Sequence, residues 1–194
     1  MKNIIYLVRL KLELKERKSK ILILSGKARS GKDEVAKIIS NYYRIKKVKK
    51  LSYAYYLKQY VKKISNWQGN EEDKPRDLLQ FIGIDLIKNK INTKLLINRV
   101  IEDIRVYSYF YDIIIITDAR LVDEIEDIKK NYPKAISIRI NCKLNNNLTI
   151  DQKNHITEKG LDDYNNFDYI IDNDMNYDNL KNSVNEVLEE LNNE

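Results

Sequence analysis

The chain has 194 residues, of which 43% are hydrophobic and 33% charged, values typical of one soluble globular domain with a sizeable core. Its net charge of +6 comes from lysines and arginines spread along the chain, which an AT-rich coding sequence would produce, with a site for small anions among them. No dense basic tract indicates a nucleic-acid surface. A single cysteine, Cys142, excludes an internal disulfide and no apolar stretch is long enough to span a bilayer, so we predict a cytoplasmic protein.

The first fifty residues predict an extension followed by a strand, a loop and a helix. Residues 1–20 fit helical and strand periodicity equally well, and we predict a helical or mixed N-terminal extension. Residues 21–25 are a run of branched apolar side chains typical of a buried strand, and residues 31–43 carry a helical apolar stripe. A second short strand is predicted at 48–51.

The rest of the chain continues this alternation. Helical spacing predicts helices at 53–64, 76–88 and 93–110, with a loop at 67–74 ahead of Pro75. Four isoleucines and a threonine at 113–117 suit a strand buried on both faces. The remaining predicted elements are a helix at 121–131, strands at 135–140 and 169–172, a turn at 173–176 and a helix at 177–191. Strands that alternate with helices indicate an α/β fold with a mostly parallel sheet covered on both faces.

The most informative stretch links the first strand to the helix that follows it. Residues 26–32 read Gly-Lys-Ala-Arg-Ser-Gly-Lys, which is the Gly-x-x-x-x-Gly-Lys spacing of a P-loop. The N–H groups of such a loop and the adjoining helix N-terminus suit a polyphosphate, and Lys32 would reach its β- and γ-phosphates. Asp33 stands where Ser or Thr usually binds Mg²⁺, and a carboxylate can hold that ion directly or through water.

Two polar residues follow the isoleucine strand and should lie beside the P-loop, because ligands bind beyond the carboxyl ends of parallel strands. Asp118 is placed to hold Mg²⁺ or its waters, or alternatively to cap the helix that begins at Leu121. Arg120 could bind a phosphate bidentately, or form a surface ion pair with Glu124. The turn at 173–176 also follows a strand and belongs to the same edge.

A helix-rich insertion separates the P-loop helix from the isoleucine strand. In a phosphoryl-transfer enzyme such an insertion would bind the acceptor. Its polar candidates are Lys58, Arg76 and Gln80, since acceptor phosphates need cations and a base edge needs an amide. The alternative is that each of them lies on a solvated helix face.

Residues 141–166 are polar and could form a lid that closes over the phosphates and excludes water. Its charge would come from Arg139, Lys143, Lys153 and Lys159. The piece that contains His155 and Glu158 either contacts the substrate or begins a helix.

Together these stretches resemble the phage-type deoxynucleoside monophosphate kinases, a branch of the P-loop nucleoside monophosphate kinases. The resemblance rests on residues 24–33 with their Gly-Lys-Asp ending, on Leu-Leu-Gln-Phe-Ile-Gly-Ile-Asp at 78–85, and on Asp-Ala-Arg at 118–120. Leu-Ser-Tyr-Ala at 51–54, His-Ile-Thr-Glu at 155–158 and Ile-Asp-Asn-Asp at 171–174 complete the set in the family's order.

The resemblance implies a three-layer α/β/α P-loop kinase fold over residues 21–194, with a five-stranded mostly parallel sheet, an acceptor-binding insertion at about 53–110 and a lid at about 141–166. It implies transfer of the γ-phosphoryl group of ATP, with Mg²⁺, to a (deoxy)nucleoside monophosphate. The residues it assigns to ATP are Gly26, Lys27, Ala28, Arg29, Ser30, Gly31, Lys32, Asp33, Glu34, Asn173 and Asp174. It assigns catalysis to Lys32, Arg29, Asp118 and Arg120, and Mg²⁺ to Asp33 and Asp118. It assigns substrate binding to Lys58, Arg76, Gln80, Arg120, His155 and Glu158.

Three alternatives stay open at this point. The first is a P-loop kinase with another phosphorylated acceptor, since phosphomevalonate kinases of the animal type share the Gly-Lys-Asp loop. The second is a regulatory module that binds nucleotide without turnover, and the third is a nucleic-acid-binding protein. We expect small-molecule nucleotides as partners, with neither membrane nor nucleic acid, and leave a homodimer open.

Overall fold

The computed structural model of the chain describes residues 16–142 and 155–193. Its strands are β1 (Lys20–Ser25), β2 (Val48–Leu51), β3 (Ile113–Ala119), β4 (Ile136–Cys142) and β5 (Tyr169–Asn173). Its α-helices are α1 (Lys32–Tyr42), α2 (Tyr53–Ile64), α3 (Arg76–Gln80), α4 (Leu95–Tyr107), α5 (Val122–Asn131), α6 (Ile156–Lys159) and α7 (Tyr177–Asn193). A π-helix, Phe81–Ile91, follows α3 directly.

The five strands form one sheet in the order β2-β3-β1-β4-β5, and every pair is parallel. Strand β1 lies in the middle, where Ile21 pairs with Ile114 of β3 and Leu22 pairs with Ile136 of β4. A central parallel strand is covered on both faces, which is why β1 is a continuous apolar run. The predicted α/β fold with a five-stranded parallel sheet is confirmed.

The isoleucines of β3 show how the sheet is covered on both sides. Ile113 and Ile115 belong to the core beneath α1 and α7, whereas Ile114 and Ile116 belong to the core beneath α4 and α5. None of the four is more than 1% exposed, and burying each side chain stabilises the fold by roughly 1.5–3 kcal/mol. This alternation produces the predicted three layers.

The helical insertion has a small core of its own, formed by Val61, Trp67, Leu79, Ile82 and Ile87. The predicted single helix at 76–88 is wrong, because α3 has only five residues and widens into the π-helix. The N–H of Asn92 donates to the carbonyl oxygen of Ile87 at 2.8 Å, a bond that reaches back five residues, as in a π-helix.

The ends of the predicted elements shift by a few residues. Strand β1 begins at Lys20, within the predicted extension, and β3 continues through Asp118 to Ala119. The predictions for residues 1–15, and for the lid residues 143–154 with Lys143 and Lys153, lie outside the described residues. No helix within the described ranges is long and apolar enough to cross a membrane.

Gly31 fixes the junction between the P-loop and α1, and its replacement by alanine should loosen that junction. Its φ of 96° is unfavourable for side-chain-bearing residues, and an added Cβ would lie 2.4 Å from Nδ2 of Asn173. We expect Gly31→Ala to lower the free energy of unfolding by about 1–3 kcal/mol in urea denaturation. In an Asn173→Ala background the clash disappears and only the backbone strain remains, so the cost of Gly31→Ala should be smaller there. Equal costs in both backgrounds would contradict this explanation.

Candidate functional site

A cleft of about 700 Å³ lies between the P-loop, the carboxyl ends of β2 and β3, and the helical insertion. Most of the side chains for which the sequence predicts a functional role line this cleft. The predicted residues that line the cleft are Ala28, Arg29, Lys32, Asp33, Lys58, Arg76, Gln80, Asp118, Arg120 and Glu158. The P-loop therefore shares one cavity with the polar candidates of the insertion.

Lys32, at the start of α1, is held at the centre of the P-loop. Its ammonium Nζ donates to the carbonyl oxygens of Gly26 at 2.8 Å and of Lys27 at 2.6 Å, and the residue is only 8% exposed. Burial lowers the pKa of the Lys32 ammonium to about 8, with a smaller contribution from the Arg120 guanidinium. A buried cation next to the loop N–H groups favours an anion at this position.

Asp33 follows Lys32 on the first turn of α1 and faces the cleft. Within the described part of the chain, no hydrogen bond or ion pair engages its carboxylate. Two other residues predicted for ATP have partners elsewhere, since Lys27 pairs with Asp162 at 2.9 Å and Glu34 pairs with Lys37 at 3.0 Å on the surface. Asp33 therefore keeps oxygen atoms for a ligand in the cleft.

Asn173, at the end of β5, contacts the P-loop on a side that does not face the cleft. Its Nδ2 donates to the carbonyl oxygen of Ser30 at 3.0 Å. Asp174 stabilises the following turn, where its carboxylate accepts bonds from the N–H of Asn176 at 2.9 Å and from Nδ2 of Asn179 at 2.7 Å. Neither residue lines the cleft, and Asn173 contacts the loop from outside it.

Asp118 caps a helix, but a different one from the helix predicted by its sequence position. Its carboxylate accepts hydrogen bonds from Oγ of Ser52 at 2.7 Å and from the N–H groups of Tyr53 and Ala54, each at 2.9 Å. These groups begin α2, so the alternative prediction that Asp118 caps the helix near Leu121 is wrong. The contact fixes the insertion to the end of β3 and satisfies two N–H groups that a helix leaves free.

The residue that caps α5 is Glu124, which the sequence analysis treated only as a surface partner of Arg120. Its carboxylate accepts from the N–H groups of Arg120 at 2.7 Å and Leu121 at 3.1 Å. Burial raises the pKa of Glu124 to about 8, and the nearby Asp118 carboxylate adds to the shift. A Glu in the first turn of a helix is a known capping signal, so sequence reasoning could have found this role.

Glu124→Gln should change how stability depends on pH. Because the pKa of Glu124 is raised above its unfolded value of 4.5, its contribution to stability is complete below pH 4.5 and is lost as pH rises towards 8. Glutamine keeps an oxygen for both N–H groups and does not titrate. Between pH 5 and 8 the free energy of unfolding of the wild type should therefore fall by about 1–3 kcal/mol relative to the variant. If urea denaturation showed that the unfolding free energies of the wild type and the variant change equally with pH over this range, the prediction would be contradicted.

Arg120 and Glu158 form an ion pair, which replaces the predicted pair of Arg120 with Glu124. Arg120 also donates to the carbonyl oxygen of Thr157 at 3.2 Å, and Glu158 accepts from the N–H of Ala28 in the P-loop at 2.9 Å. His155 begins α6, where its ring nitrogen accepts from the N–H of Thr157 at 3.3 Å. One of its two predicted roles is therefore confirmed, and the ring is not among the groups that line the cleft.

On the insertion side, Lys58, Arg76 and Gln80 stand over an aliphatic floor. That floor and its rim include Lys88 and six residues to which the sequence assigned no role in the site, namely Tyr53, Leu57, Leu79, Ile84, Ile87 and Lys74. Lys88 pairs with Asp123 at 2.8 Å and Lys74 pairs with Glu71 at 2.9 Å. The π-helix brings Ile84, Ile87 and Lys88 to this wall of the cleft.

The fold agrees with comparisons to solved structures. The chain resembles the shikimate kinase of Aquifex aeolicus, with 13% identity, a TM-score of 0.50, and 87% of this chain and 95% of that chain covered. It also resembles the Thermus thermophilus protein TT1252, with 12% identity, a TM-score of 0.52, and 90% and 99% covered. At these identities the likeness shows the fold alone. No protein of curated function matches the sequence.

A family model described as deoxynucleotide monophosphate kinase matches residues 46–184. The match begins after the P-loop, so the P-loop spacing and the family match are two independent indications of a kinase. It includes the insertion, β3 with Asp118 and Arg120, and the stretch around Glu158. The match confirms the resemblance read from the sequence. The chain therefore belongs to the deoxynucleotide monophosphate kinase family.

Proposed function

We propose that this kinase transfers the γ-phosphoryl group of ATP, with Mg²⁺, to a deoxynucleoside monophosphate and releases ADP and the deoxynucleoside diphosphate. The observation that carries the proposal is the shared cleft: Lys32 and Asp33 stand on one wall, and Lys58, Arg76 and Gln80 stand on the other. A donor phosphate on the P-loop and an acceptor on the insertion would then face each other within one cavity, and phosphoryl transfer depends chiefly on such positioning.

On the donor side, the loop from Gly26 to Glu34 would surround the triphosphate. Lys32 would stabilise charge on the transferring group, and Arg29 and Arg120 would bind its oxygens. Arg29 is held with a φ of 62° at the edge of the cleft. Asn173 and Asp174 would lie towards the adenine. Their contacts with the loop and with the next turn support that location without requiring them in the cleft.

The carboxylates present fit a hard cation. Asp33 offers oxygens that no described residue engages, whereas Asp118 already accepts three hydrogen bonds and has about one acceptor position left. Asp33 would therefore hold Mg²⁺ directly and Asp118 would hold one of its waters. When bound, Mg²⁺ neutralises charge on the phosphates. Asp118 also keeps α2, and with it Lys58, at a fixed distance from the P-loop.

On the acceptor side, Lys58 and Arg76 would bind the acceptor phosphate and Gln80 would bind the base edge. The aliphatic floor of Leu57 and Ile87 would contact the base and sugar, since apolar surface with a few polar groups is the usual lining of such sites. His155 and Glu158 stay predicted substrate contacts. We place the reaction in the cytoplasm, which a chain with a single cysteine and therefore no internal disulfide favours.

A coupled assay of ADP release tests this proposal. Mg²⁺-ATP would be offered with a panel of ribo- and deoxynucleoside monophosphates, and with phosphomevalonate as the competing acceptor class. We expect ADP release that depends on a deoxynucleoside monophosphate and is absent with phosphomevalonate. Release with phosphomevalonate alone would move the acceptor to that class. Silence across the panel with ATP still bound would support a regulatory module.

A further inference from the structure

The segment 155–162 is bound to the P-loop through two carboxylates. Glu158 accepts from the N–H of Ala28 at 2.9 Å and pairs with Arg120. Asp162 pairs with Lys27 of the same loop at 2.9 Å and lies 3.6 Å from the Arg139 guanidinium. Residues 155–162, which we name the acidic clasp, therefore engage the loop at two successive residues.

The clasp takes donors that a polyphosphate would also use. The N–H groups of a P-loop are arranged for anions, and one of them, that of Ala28, already donates to a carboxylate oxygen. The second oxygen of Glu158 holds Arg120, a guanidinium suited to bidentate phosphate binding. The Glu158 side chain is only 8% exposed, so it lies inside the site and not on its rim.

The two ends of the clasp are anchored differently. Leu161 is 4% exposed and belongs to the core beneath α4 and α5. The helix α6, which carries Glu158, contributes no buried residue, and its Ile156 is 47% exposed. Glu158 can therefore leave the loop without opening the main core, while Leu161 keeps the clasp attached.

We propose that Glu158 is an internal competitor of the donor phosphates: it occupies Ala28 N–H and Arg120, and nucleotide binding displaces it and frees Arg120 for phosphate. This inference rests on the proposed function, because it takes the P-loop as the ATP site. It reassigns Glu158 from a predicted substrate contact to a group that delays phosphate binding until the clasp opens. A carboxylate and a phosphate cannot share these donors without strong repulsion between like charges.

Glu158→Gln tests the proposal by removing the charge with little change in shape. Binding of ATP and of inorganic tripolyphosphate would be measured by calorimetry without any acceptor. We expect the variant to bind both about tenfold more tightly than the wild type, because a charge-assisted contact no longer has to be broken. The matched control is Asp163→Asn, an exposed residue that directly follows the clasp, for which affinity should not change.

Amide hydrogen exchange of the wild type gives a second readout that needs no variant. Exchange in residues 155–159 should become faster when ATP is added, since α6 loses its contact with the loop. Unchanged or weaker ATP binding by a folded Glu158→Gln protein, or slower exchange in α6, would overturn the proposal. A wild type that binds neither ATP nor tripolyphosphate would instead overturn the function on which the proposal rests.

Discussion

Replacing Lys32 by alanine is expected to abolish measurable phosphoryl transfer, a loss of at least about a hundredfold to a thousandfold in kcat. The ammonium lies at the centre of the P-loop, held by the carbonyl oxygens of Gly26 and Lys27, and it faces the cleft that also contains the proposed acceptor residues. Charge that develops on the transferring group would have no comparable partner in the variant. The rate would be measured by coupled ADP release at saturating ATP and acceptor.

Lys37→Ala is the matched control, because Lys37 lies on the same helix, with its side chain 63% exposed and paired with Glu34 on the surface. It should keep wild-type rates. The Lys32→Ala protein should still unfold cooperatively, since Lys32 does not belong to the hydrophobic core on either face of the sheet. Near wild-type turnover in a folded Lys32→Ala protein would contradict the assigned mechanism.

Asp118→Asn is expected to have the second largest effect, and it acts on both stability and rate. The amide nitrogen cannot accept hydrogen bonds, so the N-terminus of α2 loses part of its cap, with a cost of about 1–2 kcal/mol in unfolding free energy. The kcat should fall by about tenfold to a hundredfold, and half-maximal rate should require severalfold more Mg²⁺.

Ser52→Ala separates these two roles of Asp118. It removes the hydrogen bond of 2.7 Å to the carboxylate but leaves the carboxylate itself in place. We expect a modest loss of stability in this control with an unchanged Mg²⁺ requirement. If Asp118→Asn also left the Mg²⁺ requirement unchanged, Asp118 would be a helix cap only, and its proposed link to the metal would be wrong.

The sheet and the P-loop could be predicted from sequence because their signals are local. Residues 113–116 are isoleucines that are apolar on both faces of the strand, and the P-loop spacing specifies a strand, a loop and a helix in sequence. The ranges predicted for β2 and α2 agree with the structure. The patterns that predict these elements lie within a few consecutive residues and can be read directly from the sequence.

The features of the site that the sequence did not predict depend on contacts between residues far apart in the chain. Asp118 and the N–H of Tyr53 are 65 positions apart, and Glu158 and the N–H of Ala28 are 130 positions apart, so no local pattern predicts either pair. The π-helix was missed for another reason. Leu79, Ile82 and Leu86 fit ordinary helical spacing, so the sequence pattern does not indicate the wider turns of a π-helix. Those turns form where the segment packs around the core of the insertion.

The most direct test of the central claim is a ³¹P NMR spectrum of the wild type mixed with Mg²⁺-ATP and a deoxynucleoside monophosphate. The proposed reaction predicts resonances of the deoxynucleoside diphosphate that grow in step with those of ADP, while the monophosphate resonance declines. Growth of ADP and inorganic phosphate alone would show hydrolysis without transfer. That result, or an unchanged spectrum with ATP bound, would contradict the claim that this cleft joins donor and acceptor for phosphoryl transfer.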